Sequence, residues 1–324
     1  MNLDNIFYFK NIVDAKYPTG KEKPVDISSV VEEVNSDINK FSDEEFIEIM
    51  ISCFIPDLYS GMGKREKLFT KLAEFMVAEW WRRLGGTYNL PTKKSGTEDI
   101  ELIFNNKSIV CDAKVFRLGR SQKAPNVKDF LKLASVRLWI DNLNNEYKNS
   151  NPSHKVIGGM VTYSSLHEWA KDSEVYEECT NHETPVIMLP YEILAIILKY
   201  KSKLNSIDDF MNMWNYSENK VVTSSNKKNY WNYVGKYLCN ILSLSAEDFN
   251  NEIQKYYIKI EEAVIEYKKI VQAEIDEVRA IIKKDLDEFD DIEELKKHVI
   301  HEIEKRDNKD ALNYLERINK FRYY

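Results

Sequence analysis

The sequence predicts an α/β fold: a three-layer core, with a short mixed sheet flanked by helices, carrying helical regions at both ends. Three observations predict it. Short β-prone runs (Asp99 to Phe104, Ser108 to Phe116, Val156 to Tyr163, Pro185 to Leu189) alternate with amphipathic helical patterns, as in layered α/β cores. The first two runs are joined by Asn105-Asn106-Lys107, which is good turn chemistry for a hairpin. The stretches before Pro56 and after Tyr230 carry helical periodicity almost throughout. With 324 residues, 43% of them hydrophobic, the chain is long enough to bury a full core. We divide it into a helical N-terminal region (1–60), a core (61–200) and a helical C-terminal region (201–324) packed on that core as one compact unit.

Residues 1–60 read as a polar arm followed by helices. Ser42-Asp43-Glu44-Glu45 is a helix start, with Ser42 as the cap and acids in the first turn. Pro56 and Gly61-Met62-Gly63-Lys64 mark the approach to the core. The latter is no phosphate loop: its glycines are too few, and Arg65 stands where a Ser or Thr is needed. Lys64 to Leu84 forms an amphipathic helix, with Leu68, Leu72, Phe75, Met76 and Glu79 along one side and Gly85-Gly86 ending it. Trp80 and Trp81 supply core bulk. After the hairpin, Arg117 to Pro125 is a polar basic loop leading to a helix capped by Asn126, with Asp129 at the capping-box position. Ser165 to Thr184 reads as helix and loop, and Tyr191 to Tyr200 as a helix packed on the sheet. Between Phe249 and Lys284, Ile253, Tyr256, Ile260, Val264, Tyr267 and Ile270 recur at helical spacing. That stripe suits a dimer surface or intramolecular packing equally. His298 and His301 lie three apart among acids, with no third metal ligand in view.

The chemistry concentrates at the hairpin. Side chains two apart on a strand share a face, so Asp112 and Lys114 point together while Ile109, Cys111, Ala113 and Val115 fill the other face. The turn brings Asp99 near Asp112. Two converging carboxylates and a backbone carbonyl, for which Ala113 is the natural donor, suit a hard cation such as Mg2+. Such an ion polarises a phosphodiester and activates water. Lys114 then orients the water and balances growing charge; the sequence leaves a base role open as well. The bare triplet is weak, because Asp14-Ala15-Lys16 and Asp307-Asn308-Lys309 repeat it. Neither of those has a β-hairpin around it.

The net charge of −7 argues at first against a nucleic-acid partner. Its distribution points the other way. Lys107 to Leu138 holds eight Lys/Arg against two acids, whereas Asp285 to Glu304 holds nine acids against two lysines. A basic strip beside the hairpin suits a local grip on one duplex. A helix N-terminus attracts phosphate, and Asn and Lys suit base edges in the major groove. We therefore expect DNA reading on Ser121 to Asp129, with Arg117 and Arg120 clamping phosphates or ordering the site. No run reaches the length of a membrane span, the N-terminus lacks a basic signal region, and the four cysteines form no CxxC pair. A cytoplasmic protein with reduced thiols and no membrane partner is expected.

Glu66-Lys67-Leu68-Phe69-x-Lys71, then Asp99, then Asp112-Ala113-Lys114-x-Phe116-Arg117-Leu118-x-Arg120, then Asn126-x-Lys128-Asp129-Phe130 occur in that order. This compound pattern resembles the HindIII-type restriction endonucleases, closely over about residues 54–145 and in element order elsewhere. The resemblance implies a restriction-endonuclease-like core and a type II enzyme of the PD-(D/E)xK superfamily. Asp99, Asp112 and Lys114 would be its motif residues, Asp99, Asp112 and Ala113 its Mg2+ ligands, and Glu66 or Glu79 an added helix carboxylate. DNA contacts fall on Arg117, Arg120, Ser121, Lys123, Ala124, Asn126, Lys128 and Asp129. The implied target is AAGCTT, cut after the first A to leave four-base 5′ overhangs. The implied assembly is a homodimer, functionally paired with a DNA methyltransferase. Two departures stand out: Glu98 rather than Pro precedes Asp99, and Gln122-Lys123 lengthens the reading loop. A repair or junction-resolving nuclease of the same superfamily, or a non-catalytic DNA-binding protein, are the alternative readings.

Overall fold

The computed structural model describes residues 1–18, 25–56, 59, 62–91, 98–118, 132–166, 171–179, 184–215, 226–287 and 291–307. The chain divides into two compact units, Met1–Glu266 and Tyr267–Tyr324, so residues 201–266 belong to the unit that holds the sheet.

The sheet has five strands, β1 (Thr87–Asn89), β2 (Ile100–Phe104), β3 (Lys107–Ala113), β4 (Lys155–Tyr163) and β5 (Val186–Pro190), lying side by side in that order. β1, β2 and β3 are antiparallel neighbours, while β4 and β5 run parallel to β3. The sheet is therefore mixed, as expected from the sequence. Phe104 faces Lys107 across the turn, and Asn105 adopts φ 52°, a left-handed conformation that asparagine tolerates. Ile100 lies opposite Cys111 and Glu101 opposite Val110, which carries Asp99 to the level of Asp112. β1 was not foreseen, because three residues (Thr-Tyr-Asn) are too few for alternation to show. β3 also stops earlier than predicted, at Ala113 instead of Phe116.

The helices of this part are α1 (Leu3–Ile6), α2 (Tyr8–Lys16), α3 (Ile27–Ile38), α4 (Asp43–Ile51), α5 (Gly63–Leu84), α6 (Leu133–Ser150), α7 (Glu174–Glu178), α8 (Tyr191–Lys199) and α9 (Ile207–Met211). The polar arm expected at the N-terminus is helical from Leu3, capped by the Asn2 side chain. Ser42 caps α4 in a full capping box with Glu45. Gly85 ends α5 at φ 103°, a conformation that favours glycine.

α5 is the centre of the fold. A surface helix buries one stripe, but Leu68 to Trp81 are buried nearly all round, Glu74 and Glu79 included. The Trp81 Nε1 donates to the Ile103 carbonyl of β2 at 2.9 Å, and the Trp80 Nε1 donates to the Leu194 carbonyl of α8 at 2.8 Å. Phe69 meets Phe9 of α2 edge to face. α6 is the crossover that makes β4 parallel to β3, and it covers the opposite face. A Cβ on Gly159 would come within 2.6 Å of Val136 on α6, whereas one on Gly158 would come within 2.4 Å of Trp214. Adjacent glycines thus let a helix and a tryptophan close onto the two faces of β4.

Helices Lys227–Ile241, Ala246–Asp287 and Ile292–Asp307 follow. Within the first unit, Phe249, Tyr256 and Ile260 are buried and Ile253 and Val264 pack against the core. That part of the apolar stripe is intramolecular packing. No helix among the described residues is long and apolar enough to cross a membrane.

Candidate active site

The end of β3 assembles the predicted constellation. Asp112 is 6% exposed, and its Oδ2 lies 2.7 Å from the Lys114 ammonium, so the two side chains do share a face. Asp99 sits just before β2, where its Oδ2 accepts the Ala113 N–H at 3.1 Å. This bond ties the two acidic positions together through the backbone. Burial, then the charges of Glu74 and Asp112, push the Asp99 carboxyl up to about 8. Like charges this close cannot all ionise cheaply out of water.

Glu74 is the residue that sequence reasoning missed. It lies in the middle of α5, 5% exposed, with its Oε2 2.6 Å from the Lys71 ammonium. Burial raises its carboxyl, and the charge of Asp112 raises it further against the pull of Lys71. A signal was present: Leu72-Ala73-Glu74-Phe75-Met76 places an acid within an apolar run, and a buried charge is the informative exception. The two acids singled out from the sequence are engaged elsewhere. Glu66 pairs with Arg117, its Oε1 accepting from Nε at 2.5 Å. Glu79, fully buried, is held by Arg82 at 2.6 Å and Arg83 at 2.9 Å.

Beyond β3 the chain leaves the sheet and runs past residue 55. The Ile55 N–H donates to the Phe116 carbonyl at 2.9 Å, and the Leu118 N–H donates to the Ile55 carbonyl at 3.0 Å. Arg117 is thereby fixed beside α5. Of the other expected DNA contacts, Arg120, Ser121, Lys123, Ala124, Asn126, Lys128 and Asp129 lie outside the described residues. Asp14-Ala15-Lys16 lies on a helix, whereas Asn308 and Lys309 of the other decoy lie outside the described residues. Asp14, in α2, accepts from Lys10, Tyr59 and Arg65, and Asp307 is the last residue of its helix.

The residues fit a hard cation through their donor chemistry. Asp99 and Asp112 are buried oxygen donors whose mutual repulsion a divalent charge would relieve. Among the described residues, no three His, Cys, Asp or Glu side chains form a ready-made metal cage.

A mixed sheet between helices, with two acids and a lysine at the end of a hairpin strand, defines a candidate nuclease of the restriction-endonuclease class. The chain belongs to the HindIII restriction endonuclease family, which it matches over residues 11–314. It is a restriction endonuclease of that type. No curated protein matches it. Among solved structures it is similar to the small subunit (R.BspD6I2) of the heterodimeric restriction endonuclease R.BspD6I. That likeness has 10% identity and a TM-score of 0.34, covering 53% of this chain and 91% of the other.

Proposed function

We propose that this restriction endonuclease hydrolyses phosphodiesters of double-stranded DNA at a palindromic hexamer, with Asp99, Asp112 and Lys114 as its catalytic residues. The observation that carries the reading is the Asp112–Lys114 contact of 2.7 Å beside a buried Asp99, within a chain of this family. Asp99, Asp112 and the Ala113 carbonyl would hold Mg2+, with Glu74 as an additional carboxylate. Bound there, Mg2+ would supply charge stabilisation to the phosphate and lower the pKa of a water. Lys114 orients the attacking water and offsets negative charge building on the phosphate oxygens. Arg117, braced by Glu66, faces the backbone of the duplex. Each subunit of a homodimer cuts one strand, so that the two-fold axis of the protein matches that of the site. The family resemblance supports AAGCTT as the target, cut after the first A to leave 5′ overhangs. It also supports a cognate methyltransferase acting in the same cytoplasm.

The test is a digest of a mapped plasmid in Mg2+ or EDTA, followed by sequencing of the ends. Discrete Mg2+-dependent fragments ending at AAGCTT are expected. Discrete fragments at another sequence would reject the target, and a smear or structure-specific nicks would reject the restriction reading of specificity.

A further inference from the structure

Lys114 lies one residue beyond the last paired position of β3, where a strand that leaves its sheet loses its ladder partners. Its N–H still donates to the Thr162 carbonyl of β4 at 2.9 Å. In a continuing parallel ladder the Lys114 carbonyl would accept from the N–H of residue 164, and the Phe116 N–H would donate to the carbonyl of that residue. Side chains take both roles instead. The Tyr191 hydroxyl, at the start of α8, donates to the Lys114 carbonyl at 2.9 Å. The Ser164 Oγ accepts the Phe116 N–H at 3.1 Å.

Both side chains belong to rigid surroundings. Tyr191 and Ser164 are fully buried, and burial keeps the phenol protonated as a donor. Glu192, the next residue of α8 and also fully buried, accepts from the Ser165 hydroxyl and from the Leu166 N–H, the latter at 3.0 Å. The first turn of α8 therefore holds the chain after β3 in two ways. Tyr191 grips Lys114 directly, and Glu192 fixes the turn that presents Ser164 to Phe116. With Ile55 binding Phe116 and Leu118 from the other side, both backbone groups of Lys114 and of Phe116 and the Leu118 N–H are bonded.

We infer that Tyr191 is a positioning residue for Lys114, with Ser164 in a supporting role. A lysine carries its charge at the end of four flexible methylenes, so its aim at Asp112 depends on how firmly its own peptide is held. This inference rests on the reading of Lys114 as catalytic. Tyr191→Phe keeps the ring in its pocket and deletes only the donor to the Lys114 carbonyl.

The experiment measures single-turnover cleavage of a short duplex, its Kd, and thermal melting for Tyr191→Phe, Ser164→Ala, Lys114→Arg and Lys114→Ala. Tyr191→Phe is expected to slow cleavage about 10- to 100-fold at saturating DNA, the usual cost of a small misplacement of reacting groups. Its Kd should stay within about two-fold, because the DNA-binding groups are untouched. Ser164→Ala is expected to slow cleavage in the same sense and serves where Tyr191→Phe folds poorly. Combining Tyr191→Phe with Lys114→Arg should cost less than the product of the two single losses, since both act through one group. Multiplicative losses, a wild-type rate for a folded Tyr191→Phe, or, where that variant folds poorly, a wild-type rate for Ser164→Ala, would overturn the inference. If Lys114→Ala itself cleaves at the wild-type rate, the reading of Lys114 fails first, and the inference falls with it.

Discussion

Asp99 provides the sharpest physical test of the site. Its carboxyl is pushed from the usual 3.8 up to about 8 by burial and by Glu74 and Asp112. The folded metal-free protein therefore keeps a proton that the unfolded chain gives up. Stability must then fall as pH rises from about 4 to about 8, because the unfolded state releases its proton first. At pH 7 the ceiling on this penalty is three pH units at about 1.4 kcal/mol each, or about 4 kcal/mol. Because Glu74, itself raised by burial, is the first charge acting on Asp99, part of that ceiling belongs to the two carboxyls together. Asp99→Asn removes the titrating group, keeps an oxygen to accept the Ala113 N–H, and offers an amide proton to Asp112. In EDTA at pH 7 the variant should be more stable than the wild type by about 1 to 3 kcal/mol. The assay is urea unfolding in EDTA at pH 5, 6, 7 and 8. The wild-type curve should slope downward with pH and the variant much less, so the gap widens toward pH 8. Parallel curves, or a variant less stable at pH 7, would refute the electrostatic account. The more stable variant should also be unable to cleave, since it has lost a proposed metal ligand.

The two buried acids of α5 separate in the same experiments. Glu74→Gln should flatten the pH slope of the metal-free protein, because it deletes the largest charge acting on Asp99. It should also slow cleavage at least about 10-fold, as loss of an active-site group does. Glu79→Gln should behave oppositely: it leaves Arg83 with Asp43 as its remaining carboxylate and costs about 1 to 3 kcal/mol in urea unfolding. The cleavage rate per folded Glu79→Gln molecule should stay near wild type, whereas a matching loss for both variants would erase the distinction.

The hairpin was legible because three signals coincide there: alternation, turn chemistry and an acid at each end. The shared face of Asp112 and Lys114 follows from strand periodicity, and their observed contact is the geometry that periodicity demands; Asp99 is brought to them by the turn. The third carboxylate was not legible in the same way. A helix that buries one stripe would leave Glu74 outside, and only the all-round burial of α5 by the sheet, α2 and α8 brings it in. Glu66 looked eligible as a first-turn acid, but a partner on another segment, Arg117, decides its place. Tyr191 and Ser164 carried no sequence signal at all. They act on backbone groups 77 and 48 residues away, contacts that no local pattern encodes.

The most direct measurement of the central claim is a comparison of Asp112→Ala with the wild type in cleavage, duplex binding and folding. The account predicts that cleavage disappears while the variant stays folded and holds its target DNA with near wild-type affinity. Cleavage by the folded variant, or loss of binding and folding together with activity, would contradict the assignment of Asp112 to the chemistry.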